Sequence, residues 1–137
     1  LKRFSTRDGM GITLLRKNGI KTAMITSELS NIAEARALKL KMDYCILGCR
    51  NKSEAITNIC NELQFGLDET AYIGDDINDE HILKLSGFSA CPNDAVERIK
   101  NIVDYKSNYN GGNGAVREIC EMILLSQNKL ITINENW

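Results

Sequence analysis

Proline, histidine and tryptophan each occur once in the 137 residues, as Pro92, His81 and Trp137. A single proline leaves no proline-rich linker, and a single histidine gives little help to a metal. The five cysteines (45, 49, 60, 91 and 120) are irregularly spaced and contain no C-x-x-C pair. That argues against a disulfide framework or a zinc site and predicts reduced, mostly buried thiols in a cytoplasmic protein. An excess of one charge is also lacking: 17 basic against 18 acidic side chains leave −1, which gives nucleic acid or an anionic membrane no electrostatic hold. Unbroken apolar runs stop at four residues, Tyr44 to Leu47 and Met122 to Leu125, so nothing spans a bilayer. Methionine is missing at the start: the chain opens on Leu1-Lys2-Arg3-Phe4 and reads like a piece of something longer.

What is present is an ordinary globular balance, 43% hydrophobic and 26% charged, in a length suited to one domain. Short apolar runs alternate with helical patterns throughout. Strands are predicted at Lys21–Thr26, Tyr44–Leu47, Thr70–Gly74, Phe88–Cys91 and Ile102–Tyr105. Helices are predicted at Gly9–Asn18 with Gly19 beyond the end, at Ser30–Lys41 behind a serine cap, and at Lys52–Leu63. Further helices fit Asn78–Leu85, Ala95–Lys100 and Ala115–Leu125. Ile32, Ala33, Ala37, Leu38 and Leu40 form the expected inner face of the second helix. Strands alternating with helices imply βαβ units, hence an α/β domain with a parallel sheet and helices on both faces. Residues 126–137 lose the helical period and are expected to form a tail that docks on a neighbouring copy.

Ligands of open α/β sheets sit beyond the carboxyl ends of the strands. There the chain reads Thr26-Ser27-Glu28, Gly48 with Lys52 after it, and Gly74-Asp75-Asp76-Ile77-Asn78-Asp79. Asp75, Asp76, Asp79 and Glu80 place four carboxylates within six residues, where like charges repel unless a hard divalent cation lies between them. Gly74 is expected to let the backbone turn sharply and present Asp75. Capping of the following helix is the plainer alternative for Asp76 and Asp79. Thr26 alone reads as a turn hydroxyl and Lys52 alone as a solvated lysine. Taken together, a hydroxyl, an ammonium group and carboxylates on a metal suit a phosphoryl group.

These stretches, with Phe4–Ile12, Asn51-Lys52 and Gly111–Glu118, resemble the haloacid dehalogenase phosphatases. The resemblance is to the capless branch that includes 3-deoxy-manno-octulosonate 8-phosphate phosphatase and the phosphatase domain found with acylneuraminate cytidylyltransferases. It covers residues 2 to about 125 in the family's order and implies a Rossmann-like fold with no cap domain. By resemblance Thr26 and Lys52 are catalytic and Asp75 is a ligand of Mg2+, with Asp76 and Asp79 behind it. The implied substrate is a phosphorylated sugar acid, and the implied assembly is a homotetramer in which a neighbour closes the site.

The family's opening Asp-x-Asp-Gly motif, whose first aspartate attacks phosphorus, has no match here, and Asp8 sits at a helix start instead. Residues 1–125 are therefore expected to form a phosphatase domain lacking its first strand and nucleophile, inactive as it stands. In the octulosonate branch an arginine usually follows the Thr-Gly pair. Here Thr26-Ser27 is followed by Glu28, with Arg36 and Lys39 on the next helix. This combination looks more like members acting on nine-carbon sugar acids phosphorylated at the 9-position, with the cation pair holding a carboxylate. A solvated helix face is the alternative for Arg36 and Lys39, and a surface charge for Arg7, otherwise placed at the substrate. Gly111–Gly114 resembles an anion-binding turn. Two other readings compete with the enzyme: a non-catalytic oligomerisation module of a cytidylyltransferase, and a phosphoacceptor receiver domain, whose acidic pair precedes its lysine in the reverse order.

Overall fold

The structure, a computed structural model, describes residues 5–129, 131–135 and 137. Its first helix, α1 (Thr6–Lys17), starts three residues earlier than the apolar period suggests, because the Ser5 hydroxyl accepts from the amides of Arg7 and Asp8. Then follow β1 (Ala23–Ile25), α2 (Asn31–Lys39), β2 (Tyr44–Ile46), α3 (Lys52–Leu63) and β3 (Ala71–Ile73). The chain closes with α4 (Glu80–Leu85), β4 (Phe88–Cys91), α5 (Glu97–Lys100), β5 (Tyr105–Lys106) and α6 (Ala115–Ser126). Ser30 caps α2 and Asn51 caps α3, each side chain accepting an amide of the first turn. No helix among the described residues is long and apolar enough to cross a membrane.

All strand pairing is parallel, as the alternation of elements implies, but the sheet is in two pieces. β2 pairs only with β1, and β3–β4–β5 forms the second piece. β1 and β3 thus each keep one unpaired edge among the described residues. The pieces are joined by side chains: Ile25 of β1 and Tyr72 of β3 pack on a cluster of Ile56, Cys60 and Ile82 from α3 and α4. A second cluster, Leu83, Cys91, Ala95 and Ile99, holds α4 and α5 against β4. The third, Leu14, Leu15, Cys120 and Leu124, joins α1 to α6. The helices therefore form two separate packings, α1 with α6 and α3 with α4, as helices on opposite faces of a sheet do.

Three sequence expectations need correction. Ile32 and Leu38 are 62% and 73% exposed, because α2 turns only its small residues, Ala33 and Ala37, fully inward. The strand expected at Ile102–Tyr105 starts at Tyr105, since Ile102 and Val103 are apolar in order to pack on the β4 cluster. Asn78–Leu85 begins as a short 3-10 turn, Ile77–Asp79, before α4. In the tail, Ile133 packs on the α1–α6 cluster of its own chain.

Asp8 has a structural task. Its carboxylate accepts from the amides of Gly114 and Arg117 and so caps the start of α6 across more than a hundred residues of chain. Three of the five thiols are buried and all five are free. Burial pushes the Cys120 thiol up to about 12, which keeps it protonated and inert.

Candidate active site

The loops after β1 and β2 are tied together at the carboxyl ends of those strands. The Thr26 amide donates to the Ile46 carbonyl, the Cys49 amide to the Thr26 carbonyl, and the Gly48 amide to the Glu28 carbonyl. Gly48 takes φ +61°, and a Cβ there would press on Leu29, so glycine suits this crossing of two loops. The Thr26 hydroxyl accepts from the Glu28 amide at 3.2 Å, which leaves its own proton to donate elsewhere. Turn hydroxyl and phosphate ligand are thus compatible roles. Directly after this crossing, the Asn51 cap starts α3 and sets Lys52 at its first position.

Lys52 reaches across to the loop after β3. Its Nζ donates to Asp79 Oδ1 at 2.6 Å, with the two side chains only 10% and 6% exposed. The Tyr72 hydroxyl donates to the same oxygen at 3.2 Å. The other oxygen, Oδ2, accepts from the amides of Asp75 (3.0 Å) and Asp76 (3.3 Å). Four donors fill the four lone-pair directions of this carboxylate. Asp79 therefore has no oxygen left for a metal, and through Oδ2 it closes a capping box with Asp76 on the 3-10 turn that leads into α4. It holds the lysine and the acidic loop in one frame.

Gly74 is needed for this frame, for a reason other than the sharp turn expected of it. Its backbone is not left-handed; a Cβ would instead run into the Asp79 carboxylate. Asp76 turns outward and accepts from the Ile77 amide at 2.7 Å. Asp75, exposed in the loop after β3, is the remaining acid of the group. Burial first, then the neighbouring charges of Asp79 and Asp76, raise its carboxyl above the usual carboxylate range, while its backbone hydrogen bond and Lys52 oppose the rise. Burial and Asp79 likewise raise the Tyr72 phenol, which stays protonated and keeps donating.

No three His, Cys, Asp or Glu side chains among the described residues converge as a metal cage. A magnesium ion does not need one, since it keeps several waters and takes one or two carboxylates plus substrate oxygens. Asp75, an acid whose charge is opposed by its surroundings, fits that requirement. Asp79, with its oxygens filled, does not.

Ser27 joins the site through its hydroxyl, which accepts from Asn78 Nδ2 at 3.4 Å and bridges the loops after β1 and β3. Glu28 is exposed beside it. Arg36 is drawn to α1, where its Nη2 donates to the Ser5 carbonyl at 3.1 Å, and Lys39 is exposed three residues further along α2. Arg7 is exposed at the start of α1, with its aliphatic chain beside Gly114. The Gly111–Gly114 turn does bind anions, but they are its own: Asp94 accepts from the Gly111 amide at 2.8 Å and Asp8 from the Gly114 amide. An external anion is not needed to satisfy those groups. An open depression of about 310 Å³ next to Lys52 is lined by Arg50, Asn51, Ser53, Asn78 and the exposed His81, with no acid among them.

Sequence reasoning missed Tyr72 and Asn78. The signal available for Tyr72 was a polar-tipped ring in mid-strand, two residues before the glycine that carries the acidic loop. For Asn78 there was none, because its partner lies 51 residues away.

The haloacid dehalogenase-like hydrolase family matches residues 47–119. The chain is 35% identical over 130 residues to the 3-deoxy-D-manno-octulosonate 8-phosphate phosphatase of Escherichia coli K12, covering 95% of this chain and 69% of that protein. The crystal structure of the phosphatase of the same name from Yersinia pestis is similar with TM-score 0.91 and 37% identity, over 95% of this chain and 70% of that one. The Moraxella catarrhalis phosphatase, crystallised with magnesium, phosphate and a KDO molecule, gives TM-score 0.90 and 37% identity, over 93% and 74%.

Proposed function

Since the chain belongs to the haloacid dehalogenase-like hydrolases, we propose that it is the site-bearing part of a Mg2+-dependent phosphomonoesterase that removes the terminal phosphate of a 2-keto-3-deoxy sugar acid. One observation carries the reading: a single buried carboxylate, Asp79, ties the Lys52 ammonium to the backbone of Asp75 at the carboxyl ends of the strands. A phosphoryl group set there meets a cation on one side and a metal-binding acid on the other. The Thr26 hydroxyl donates to a phosphoryl oxygen, Lys52 neutralises charge that builds up in transfer, and Asp75 with substrate oxygens holds Mg2+. The metal supplies Lewis-acid polarisation of the phosphoryl oxygens when bound. Asp79 stands behind Asp75 and holds its amide, and Asp76 flanks it in the loop.

Transfer in this reading passes through an aspartyl phosphate. A carboxylate able to attack has to face Thr26 and Lys52 from between the two halves of the sheet, and the open edges of β1 and β3 are where a strand carrying it fits. A non-catalytic oligomerisation module is not favoured, since such a module needs neither the buried Lys52–Asp79 pair nor Asp75, and the relatives spanned by this chain bear the names of phosphatases.

The relatives' names point to octulosonate 8-phosphate as substrate. A nonulosonate 9-phosphate is favoured by one feature, Glu28 after Thr26-Ser27, with the exposed Lys39 and Arg7 as the cations for its carboxylate, Arg36 being engaged at the Ser5 carbonyl. Phosphate release by the protein at its native length, with each ester in turn, tests both. Release from at least one is expected, abolished by a chelator and restored by Mg2+. Glu28→Arg is expected to raise the kcat/KM ratio of octulosonate to nonulosonate ester roughly tenfold, about 1.4 kcal/mol of discrimination. No release from either ester rejects the phosphatase, and an unmoved ratio rejects the role of Glu28.

The reading includes a homotetramer and a reducing, cytoplasmic setting, the latter supported by the five free thiols. The assembly is supported by exposed apolar side chains in the loops after four strands: Leu29, Ile77, Val96 and Tyr109. A site that has to exclude water suits a covering protein surface at these side chains. Light scattering is expected to give the mass of four copies; a monomer at micromolar concentration refutes the assembly.

A further inference from the structure

We infer that Tyr72 is a positioning residue for Lys52: its hydroxyl, acting through Asp79, fixes the direction of the ammonium group. The inference rests on the phosphatase reading only for what Lys52 faces.

The Tyr72 ring belongs to two core clusters at once, the Ile56–Cys60–Ile82 group and the Leu83–Cys91–Ile99 group. A ring held on both sides cannot swing, and phenylalanine would serve that packing equally well. The hydroxyl is therefore unexplained by the core. A buried hydroxyl costs free energy unless it is hydrogen-bonded, and this one is spent on Asp79 Oδ1 at 3.2 Å. The same oxygen takes Lys52 Nζ at 2.6 Å. With one lone-pair direction filled by Tyr72, the lysine is confined to the other. The amides of Asp75 and Asp76 block rotation of the carboxylate from the Oδ2 side. One of the three ammonium protons is thereby anchored, and the anchor aims the remaining two. Remove the hydroxyl and Oδ1 offers the lysine both directions, while the ring, the core and the ion pair stay in place.

The test is Tyr72→Phe, read on the Lys52 ammonium itself in protein carrying 15N-lysine. In the parent protein this group, nearly buried and ion-paired, is expected to give a slowly exchanging 15N–1H signal. In Tyr72→Phe the signal is expected to shift and its exchange with water to quicken about tenfold, the loss of one hydrogen bond to a charged group, while the amide spectrum elsewhere is retained. An unmoved ammonium signal overturns the inference. Should Tyr72→Phe fold poorly, 3-fluorotyrosine at position 72 keeps the ring and strengthens the donor; it too has to move the Lys52 signal, and a fixed signal overturns the inference. Titration with inorganic phosphate in the presence of Mg2+ adds a second readout. Tyr72→Phe is expected to weaken phosphate several-fold, and to weaken it no further in a Lys52→Met background; equal losses in both backgrounds overturn the inference. If the parent protein binds no phosphate, the phosphatase reading fails, and the ammonium spectrum still decides the role of Tyr72.

Discussion

Asp79→Ala is expected to destabilise the chain by about 3–5 kcal/mol, the usual cost of breaking a buried ion pair from one side. Lys52 is left nearly buried without its counter-ion, Tyr72 loses the acceptor of its hydroxyl, and the amides of Asp75 and Asp76 lose theirs. The penalty comes from these orphaned donors more than from the attraction lost, because both charges had already given up water to pair. A urea titration measures it as a lower midpoint at unchanged slope. The double variant Lys52→Met with Asp79→Asn separates the two contributions: it removes both charges and keeps an acceptor for the loop amides. It is expected to recover most of the stability and none of the metal-dependent phosphate release. A loss under about 1 kcal/mol for Asp79→Ala, the level of a surface pair, would show that the pair is solvated after all.

Asp75→Ala is expected to leave the fold standing and to lower Mg2+-dependent phosphate release by about 10³-fold or more, the scale on which removal of a charge-stabilising group acts. Thermal melts with and without Mg2+ give an independent reading. The parent protein should gain about 2.7 kcal/mol at a hundred times the dissociation constant, and Asp75→Ala should gain nothing. The pH dependence has a definite sign. The Asp75 carboxyl is raised in the fold by burial and by Asp79 and Asp76, so without metal its contribution is most favourable below the ordinary carboxylate value. That contribution is lost as pH rises through the raised value. Mg2+ relieves the penalty on the charged form, so the stabilisation it confers should grow with pH across that window and vanish in acid. A Mg2+ effect that is flat with pH, or retained in Asp75→Ala, removes Asp75 from the metal site.

The pieces of the site that were legible in the sequence are those whose chemistry is local. Gly74-Asp75-Asp76 stands out because doubled acid at a strand end is costly without a reason nearby. Thr26 and Lys52 follow from their places after apolar runs, since parallel strands bring all their carboxyl ends to one edge. Asp79 was legible as an acid and illegible as a hub. Its partners are Lys52, 27 residues upstream, and Tyr72, on the preceding strand. Capping, the alternative suggested by the local pattern, holds for the 3-10 turn before α4, where Asp76 and Asp79 form a capping box, but it says nothing of the Lys52 and Tyr72 contacts. The Gly111–Gly114 turn went the other way: its local pattern invited an outside anion, and the fold supplied Asp94 and Asp8 from within.

Ile32 and Leu38 mark the same boundary in the core. Their period is correct for a helix and wrong for burial, because the period fixes which residues share a face but not how wide a face the neighbours cover.

Order of elements, strand direction and the kinds of group gathered at the strand ends were set by the sequence alone, because apolar period, capping residues and charge crowding act over a few residues. The division of the sheet and the filling of every oxygen of Asp79 were decided by tertiary structure. Each depends on groups brought together from dozens of residues apart, and only packing determines which donor reaches which oxygen first.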